Sequence, residues 1–158
     1  MELRKITFDN IDEIIALTVG EGQQNFVAPN VESLAEAYVA ASGGFTAQPF
    51  GIYEENRPVG FVMFGYGSLE DPDEPPVAAG NYCLWRFMID QSRQGKGLGK
   101  RALEACLAYA RTLPCGPAEY VWLSYEPENA AARGLYHKFG FRENGQMCGE
   151  EIVAVLKL

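Results

Sequence analysis

The sequence has 158 residues, 47% of them apolar and 22% charged, a balance typical of a folded globular domain. Its formal net charge of −8 argues against general binding to nucleic acid or to anionic membranes, because phosphate surfaces attract clustered lysine and arginine. The N-terminus lacks the apolar core of a signal peptide, and no apolar run approaches the roughly 20 residues that cross a bilayer. We therefore expect one cytoplasmic domain over residues 1–158.

The first half of the chain predicts one strand, two helices and a hairpin. Asp9 or Asn10 is suited to cap the first helix, and Asn30 to cap the second. Alternating and helical spacings predict strands at 2–7, 48–54 and 58–66, and helices at about 10–19 and from residue 30 onward. The proline-rich, acidic segment 68–81 is predicted to be a surface loop.

The second half begins with the run "YCLWRFMID", residues 82–90, which is long and apolar enough for a central strand buried on both faces. Apolar residues at helical spacing then predict a helix from Leu98 to Leu113, which the segment 114–117 ends. A further strand, a helix from Asn129 to about Lys138 and a closing hairpin follow. The order βααβββαβαββ predicts an α/β fold with a mixed sheet and helices on both faces.

The segment "RQGKGLGK", residues 93–100, places three glycines between the central strand and the next helix. It is not a P-loop, since Gln94 and Arg101 stand where that motif needs glycine and a hydroxyl, and Lys100 breaks the dinucleotide fingerprint. Glycines at a helix start nevertheless let backbone N–H groups approach an anion, and the helix dipole favours negative charge there. The loop therefore predicts an anion site of another kind.

Two motifs carry a resemblance to a known family. Gln94, Gly97 and Gly99 match the acetyl-CoA-binding segment of the GNAT superfamily of N-acetyltransferases, and "NAAARGLYHKFGF", residues 129–141, is similar to the later motif of that family. The resemblance implies a single-domain, mostly antiparallel sheet that splays open after the central strand. It also implies that acetyl-CoA is the co-substrate and that its pyrophosphate lies on the glycine loop.

The resemblance assigns site residues as follows. The pantetheine arm is expected to lie along the backbone of Phe87, Met88 and Ile89, with the N–H of Met88 polarising the thioester carbonyl. Tyr136 is the expected general acid for the departing thiolate. The expected cofactor-binding residues are Phe87, Met88, Ile89, Gln94, Gly95, Lys96, Gly97, Leu98, Gly99, Lys100, Asn129 and Tyr136.

An amine must lose a proton before it attacks, and Glu21, Glu36 and Glu126 are candidate bases, directly or through water. No cysteine or serine has a histidine partner motif, which predicts direct acetyl transfer without a covalent intermediate. The four cysteines have no paired spacing and predict reduced thiols, with neither a disulfide nor a metal site.

Within the superfamily, two segments, "NYCLWRFMIDQSRQGKGLGK" at residues 81–100 and "FVAPNVESLAEAY" at residues 26–38, resemble the bacterial spermine/spermidine (diamine) acetyltransferase branch. A polyamine needs spaced carboxylates and aromatic walls. Expected substrate residues are Glu21, Glu36, Tyr38, Trp85 and Arg86; further acids at Glu32, Glu70, Asp71, Asp73 and Glu74 and rings at Tyr66 and Tyr82 are available. Arg86 either pairs internally or binds a substrate carboxylate.

Three alternatives remain open. The acceptor is a polyamine, or another amine such as an amino acid, an aminoglycoside or a peptide N-terminus, or else the domain is non-catalytic and serves as a CoA-binding sensor or as an interaction domain for a protein partner. The expected partner is a small-molecule amine, without nucleic acid or membrane, and many relatives form homodimers.

Overall fold

The computed structural model describes all of residues 1–158 and contains one seven-stranded sheet. The strands follow the spatial order β1-β2-β3-β4-β5-β7-β6, and every neighbouring pair is antiparallel except β4 and β5. Their bounds are β1 Glu2–Lys5, β2 Thr46–Glu54, β3 Arg57–Tyr66, β4 Tyr82–Ile89, β5 Tyr120–Tyr125, β6 Arg142–Cys148 and β7 Glu151–Lys157. The predicted mixed, mostly antiparallel α/β fold is confirmed.

Four helices cover the two faces of the sheet: α1 Ile11–Ile15, α2 Asn30–Ser42, α3 Leu98–Ala110 and α4 Ala130–Lys138. The larger core includes Leu103 and Cys106 of α3 and Tyr136 of α4, packed with Phe64 and Leu123 of the sheet. A second core on the opposite face packs α1 and α2 against β3 and β4. The helices therefore lie on both faces, as the element order predicts. None of them combines the length and apolar character of a membrane-crossing helix.

The sheet opens between β4 and β5. These parallel strands pair only at Tyr82–Val121 and Cys83–Trp122, so β4 from Leu84 to Ile89 has no partner on its β5 side. On the other side the register with β3 shifts between Met63 and Phe64, which leaves Trp85 as an extra residue in β4. A bulge bends a strand and increases its twist, and it lies here at the point where β4 separates from β5. The implied splay after the central strand is confirmed.

The first helix is shorter than predicted. It ends at Ile15 rather than near Val19. Asn10 occupies the predicted N-cap position but makes no side-chain capping hydrogen bond, because its Oδ1 accepts from Thr7 N instead at 2.8 Å. Thr18 is held by the end of β4: its N–H donates to Asp90 Oδ1 at 3.0 Å and its carbonyl accepts from Gln91 N at 2.7 Å. These tertiary hydrogen bonds replace the last turn that the pattern predicts.

Asn30 also has a role other than the predicted cap. The N-cap position belongs to Pro29, and Asn30 is the first residue of α2. Its buried side chain donates to the carbonyl of Ile14 at 2.8 Å, joining α2 to α1. By contrast, Asn129 caps α4 as predicted, since its Oδ1 accepts from Ala132 N at 3.1 Å.

Candidate functional site: a cleft between the splayed strands

The gap between β4 and β5 is the floor of a cleft with a cavity volume of about 970 Å³. One end is closed by the glycine loop and the start of α3, and the other by the 68–74 loop and the β6–β7 turn. The loop between α1 and α2 forms one wall. The structure brings together, in this one cleft, these predicted residues: Trp85, Arg86, Phe87, Met88, Ile89, Gln94, Gly95, Gly97, Leu98, Gly99, Asn129 and Tyr136.

The glycine loop presents a run of free donors. None of the backbone N–H groups from Gly95 to Lys100 donates to an acceptor in the protein. Gly95 and Gly97 have φ values of 74° and 73°, and a Cβ on either would meet no protein atom within 4 Å. Gly97 is also the N-cap of α3. Left-handed glycines and unpaired N–H groups at a helix start make an anion-binding concavity, and they fit a diphosphate.

The basic side chains of this loop do not line the cleft. Lys96 Nζ donates to the carbonyl of Ser92 at 3.1 Å, and Lys100 Nζ lies 4.0 Å from Glu104 on the exposed side of α3. Arg101 pairs with Glu54. The predicted contacts of Lys96 and Lys100 with a cofactor are thus limited to their backbone N–H groups, with the side-chain charges outside the cleft.

The register of β4 changes the predicted oxyanion donor. Asp90 N donates to the carbonyl of Val59 on β3, and the β3–β4 pairing continues through Phe61–Met88. Hydrogen-bonded and non-bonded pairs alternate in an antiparallel ladder, so the Met88 N–H faces β3. The N–H groups of Phe87 and Ile89 face the gap instead. The sequence does not reveal which of these N–H groups face the gap, because that depends on how β3 and β4 align.

Tyr136 of α4 reaches the cleft from the core. Its side chain is buried against Phe141 and Tyr125, at ring-centroid distances of 5.7 and 5.9 Å. Burial raises its pKa well above the usual value, with the Cys106 thiol and the Glu126 carboxyl adding in the same direction. The phenol accordingly stays protonated throughout the physiological range. Its hydroxyl makes no hydrogen bond within the protein, although the side chain lines the cleft.

The far end of the cleft is acidic. Six carboxylate residues line the cleft against a single basic residue, Arg86, and they are Asp71, Asp73, Glu74, Glu126, Glu150 and Glu151. The acidic loop is held to the β6–β7 turn, because the N–H of Gly149 donates to the carbonyl of Asp73 at 3.2 Å. Sequence reasoning missed Glu150 and Glu151. No local pattern marks them, because they reach the cleft through the pairing of β7 with β5.

Of the three candidate bases, only Glu126 lines the cleft. The β5–β7 register, with Tyr125 opposite Ile152, brings Glu151 beside Glu126. Burial raises the pKa of Glu126, and the neighbouring carboxyls of Glu151 and Glu128 raise it further. Glu21 is exposed outside the cleft, and Glu36 does not line the cleft and is paired with Arg86, so neither is free to act as a base there.

Arg86 pairs internally, which is one of the two predicted alternatives. Its Nη2 donates to both carboxylate oxygens of Glu36, at 3.1 and 3.0 Å. Its guanidinium carbon lies 5.6 Å from the centroid of the Trp85 ring, within cation–π range. The pair neutralises the one basic side chain of the cleft.

The predicted aromatic walls are partly wrong. Tyr38 is 75% exposed on the outer face of α2, and Tyr82 is fully buried, with its hydroxyl donating to the carbonyl of Gly116. Tyr66 and Trp85 do line the cleft. Trp122, Phe26 and Val27 add walls that the sequence did not identify. The four cysteines are free thiols, and no group of three metal-binding side chains occurs.

An open α/β sheet, with a loop of free N–H donors beside the splayed strands, is the arrangement suited to an extended ligand that carries a diphosphate, as a coenzyme A-dependent acyltransferase requires. The sequence pattern described as "Acetyltransferase (GNAT) family" matches residues 13–141. The chain therefore belongs to the GNAT family of acetyltransferases, and acetyl-CoA is the co-substrate of that family. The predictions of family, enzyme class and co-substrate are confirmed.

Known relatives agree with this assignment. The chain is 33% identical over 148 residues to the spermine/spermidine N(1)-acetyltransferase of Bacillus subtilis, covering 93% of this chain and 91% of the relative. It shares its fold with the aminoglycoside acetyltransferase AAC(6')-Ib, crystallised with coenzyme A, at a TM-score of 0.74 and 18% identity over 98% and 93% of the two chains. The PaiA N-acetyltransferase of Thermoplasma acidophilum, also with coenzyme A, has a TM-score of 0.67 at 15% identity over 99% and 98%.

Proposed function

We propose that this protein transfers the acetyl group of acetyl-CoA to a primary amine of a polyamine such as spermidine or spermine. One observation carries the proposal: a single cleft joins a loop of free N–H donors at one end to a carboxylate-lined pocket at the other. The first end suits a diphosphate and the second suits an extended polycation. On this proposal residues 1–158 act as one N-acetyltransferase domain.

The cofactor end is supported by geometry. The unpaired N–H groups from Gly95 to Lys100 suit the pyrophosphate, and the backbone of Phe87 and Ile89 on the open edge of β4 suits the amides of the pantetheine arm. A gap-facing N–H of Phe87 or Ile89 is also placed to donate to the thioester carbonyl oxygen as it gains negative charge. Asn129 caps α4 at the same cleft.

The acceptor end is supported by charge. Clustered carboxylates between low-dielectric walls concentrate a cationic substrate, and a polyamine presents several ammonium groups along one chain. Trp85 and Trp122 provide apolar surface for the methylene segments. The relative from Bacillus subtilis, named as a spermine/spermidine acetyltransferase and matched over most of both chains, supports the same substrate class.

Two side chains are suited to move protons. Glu126, a half-buried carboxylate with a raised pKa, is proposed to take a proton from the acceptor ammonium, directly or through water. Tyr136, a buried phenol that stays protonated, is proposed to donate its proton to the thiolate that leaves. Glu126 would thus free the amine lone pair for attack on the thioester, and Tyr136 would neutralise the thiolate of coenzyme A as it leaves.

Direct transfer is supported by the state of the cleft cysteines. Burial raises the pKa of both Cys83 and Cys148, so each stays a protonated thiol, which is a poor nucleophile. Neither has a histidine beside it in the cleft, whose lining contains no histidine. Labelled acetyl trapped on the protein during turnover would contradict direct transfer.

The proposal is tested by following CoA release with acetyl-CoA and a panel of amines at equal concentration. The panel contains spermidine, spermine, putrescine, lysine, a peptide N-terminus and kanamycin. We expect kcat/KM to be highest for spermidine or spermine. A higher kcat/KM for kanamycin or for the peptide would indicate that the acceptor belongs to another class of amine. Binding of CoA without turnover of any amine would favour the sensor alternative.

A further inference from the structure

The glycine loop is joined, by hydrogen bonds that the proposed chemistry does not use, to the wall of the cleft formed by residues 16–29, the acceptor wall. The loop between α1 and α2, residues 16–29, lines the cleft with Val19, Gln23, Asn25, Phe26, Val27 and Ala28. It has no strand of its own, and Thr18 and Gln23 tie it to the segment 89–94 at the end of β4. What holds this wall is therefore the segment that leads into the glycine loop.

Gln94 is the centre of the connection. Its Nε2 donates to Gln23 Oε1 at 2.9 Å and to the carbonyl of Ile89 at 2.9 Å, so both of its amide hydrogens are engaged. Gly95, the next residue, begins the run of free N–H donors. Ile89 is the last residue of β4, whose backbone faces the open gap. The Gln94 side chain thus joins the end of β4 to the loop between α1 and α2, and its backbone leads directly into the run of free N–H donors.

Gln23 completes the connection on the wall. Its Oε1 accepts from Gln94 Nε2 and also from the N–H of Gly20 at 3.0 Å, which closes a turn within the loop. Five residues earlier, Thr18 exchanges hydrogen bonds with Asp90 and Gln91. The hydrogen bonds from Ser92 and Thr18 outweigh the effect of partial burial and lower the pKa of Asp90, so it is a carboxylate at neutral pH. The loop is anchored at two residues, Thr18 and Gln23, and of these two only Gln23 lines the cleft.

We propose that Gln23 is a positioning residue for the acceptor amine, which acts through Gln94 to set the acceptor wall according to the occupancy of the glycine loop. An anion on the N–H groups of Gly95 and its neighbours orders the backbone of Gln94. An ordered Gln94 holds Gln23, and Gln23 holds the turn from Gly20 that leads to Phe26 and Val27. This inference rests on the proposed function for its acceptor, but its coupling step concerns coenzyme A alone.

The decisive variant is Gln23→Leu, which keeps side-chain volume and removes the acceptor oxygen. The variant loses the hydrogen bonds from Gln94 and from Gly20, and the first of these, the link to the glycine loop, is expected to contribute about 0.5–1.5 kcal/mol, so we expect KM for spermidine to rise about two- to tenfold or more. The value of kcat should stay close to wild type, because the Gln23 side chain is hydrogen-bonded only to Gln94 and Gly20. The Kd for coenzyme A should rise by a similar factor, since a coupling between two binding sites is reciprocal. Unchanged KM in a folded Gln23→Leu variant overturns the proposal.

Two control variants separate positioning from general damage. Gln23→Glu keeps an oxygen that can accept from Gln94 and Gly20, and it should retain a KM near wild type. Gln24→Leu changes an exposed neighbour that makes no side-chain hydrogen bond and does not line the cleft, so it should have no effect. A Gln23→Glu variant as impaired as Gln23→Leu contradicts the acceptor role of the oxygen.

Hydrogen exchange gives a readout that does not depend on turnover. Coenzyme A should slow exchange of the backbone amides of residues 18–28 in the wild type and in Gln23→Glu, and the protection should be lost in Gln23→Leu at saturating coenzyme A. If no amine is acetylated, the proposed function fails while this measurement still decides the coupling. Equal protection in wild type and Gln23→Leu overturns it.

Discussion

The carboxylate of Glu36 and the guanidinium of Arg86 form an ion pair between α2 and the central strand, with both Glu36 oxygens within 3.1 Å of Arg86 Nη2. Each side chain keeps part of its surface exposed, at 34% and 22%. The pair therefore contributes little to stability. Its effect is on the cleft, where it cancels the one positive charge among the lining carboxylates.

Glu36→Gln should expose that charge to the substrate. We expect KM for spermidine to rise about two- to fivefold, because an uncompensated guanidinium repels the incoming ammonium groups. The effect should weaken as salt is added, since screening shortens the range of the repulsion. Steady-state kinetics at low and high salt measure both, with Glu32→Gln, an exposed and unpaired residue of the same helix, as the control. A salt-independent rise in KM would point to altered packing.

Tyr136→Phe removes only the hydroxyl and leaves the buried ring. We expect kcat to fall about 10²- to 10⁴-fold, the usual contribution of a positioned general acid, with the Kd for coenzyme A unchanged. KM for the amine should change little, since the hydroxyl acts on the leaving sulfur in the transition state.

The matched control for this substitution is Tyr125→Phe. Tyr125 is also buried and lies beside Tyr136, but its hydroxyl donates to Glu143 at 2.8 Å, away from the proposed proton transfer. Its kcat should stay near that of the wild type. If the two variants lose activity equally, the Tyr136 hydroxyl has a packing role and another group protonates the thiolate.

Glu126→Gln should change both activity and the pH dependence of stability. As the proposed base, Glu126 must be ionised, so kcat/KM of the wild type should fall as pH drops through its raised pKa, and Glu126→Gln should lose this acid limb together with about 10²-fold of the rate. Glu128→Gln, an exposed neighbour, should keep both. If the pH profile of kcat/KM for Glu126→Gln still shows the full decrease at acidic pH, another group acts as the base.

The sign of the stability effect follows from the raised pKa. Folding favours the protonated form of Glu126. Its contribution to stability is therefore fully present at pH values below its ordinary pKa of 4.5, and it is lost as pH rises through the higher pKa of the folded state. The free energy of unfolding of Glu126→Gln, relative to that of the wild type, should therefore increase as pH rises from about 4 to about 8. Urea unfolding at the two pH values measures the difference, and a constant difference would mean that Glu126 does not titrate on folding.

Gly97→Ala should weaken coenzyme A binding. Gly97 has a φ of 73°, which costs roughly 1 kcal/mol or more for a residue with a Cβ, and the new methyl group projects beside the free N–H donors. We expect the Kd for coenzyme A to rise about tenfold or more, measured by calorimetry. Gly134→Ala in α4, where φ is not positive and no atom lies within 4 Å, should instead stabilise the protein slightly and leave the Kd unchanged. An unchanged Kd for coenzyme A in Gly97→Ala would show that the pyrophosphate does not bind at this loop.

Short-range signals in the sequence were sufficient for most of the elements and for the strand, loop and helix around the glycines. The strand over residues 82–89, the glycine loop and the helix from Leu98 follow one another along the chain, so their chemistry depends on neighbours in sequence. Asn129 likewise caps α4 through a bond only three residues away. Local sterics and helix-end hydrogen bonds act within a few residues, which is why these predictions are confirmed.

The rest of the cleft depended on contacts between distant segments. The pairing of β3 with β4, which places Asp90 opposite Val59, turns the Met88 N–H toward β3, and the bulge at Trp85 lies in the same pair of strands. The turn at Glu150 reaches the cleft only because β7 pairs with β5. Gln23 joins Gln94 across 71 positions. Strand register and loop docking are decided by the packing of the whole sheet, whose free energy no short window of sequence contains.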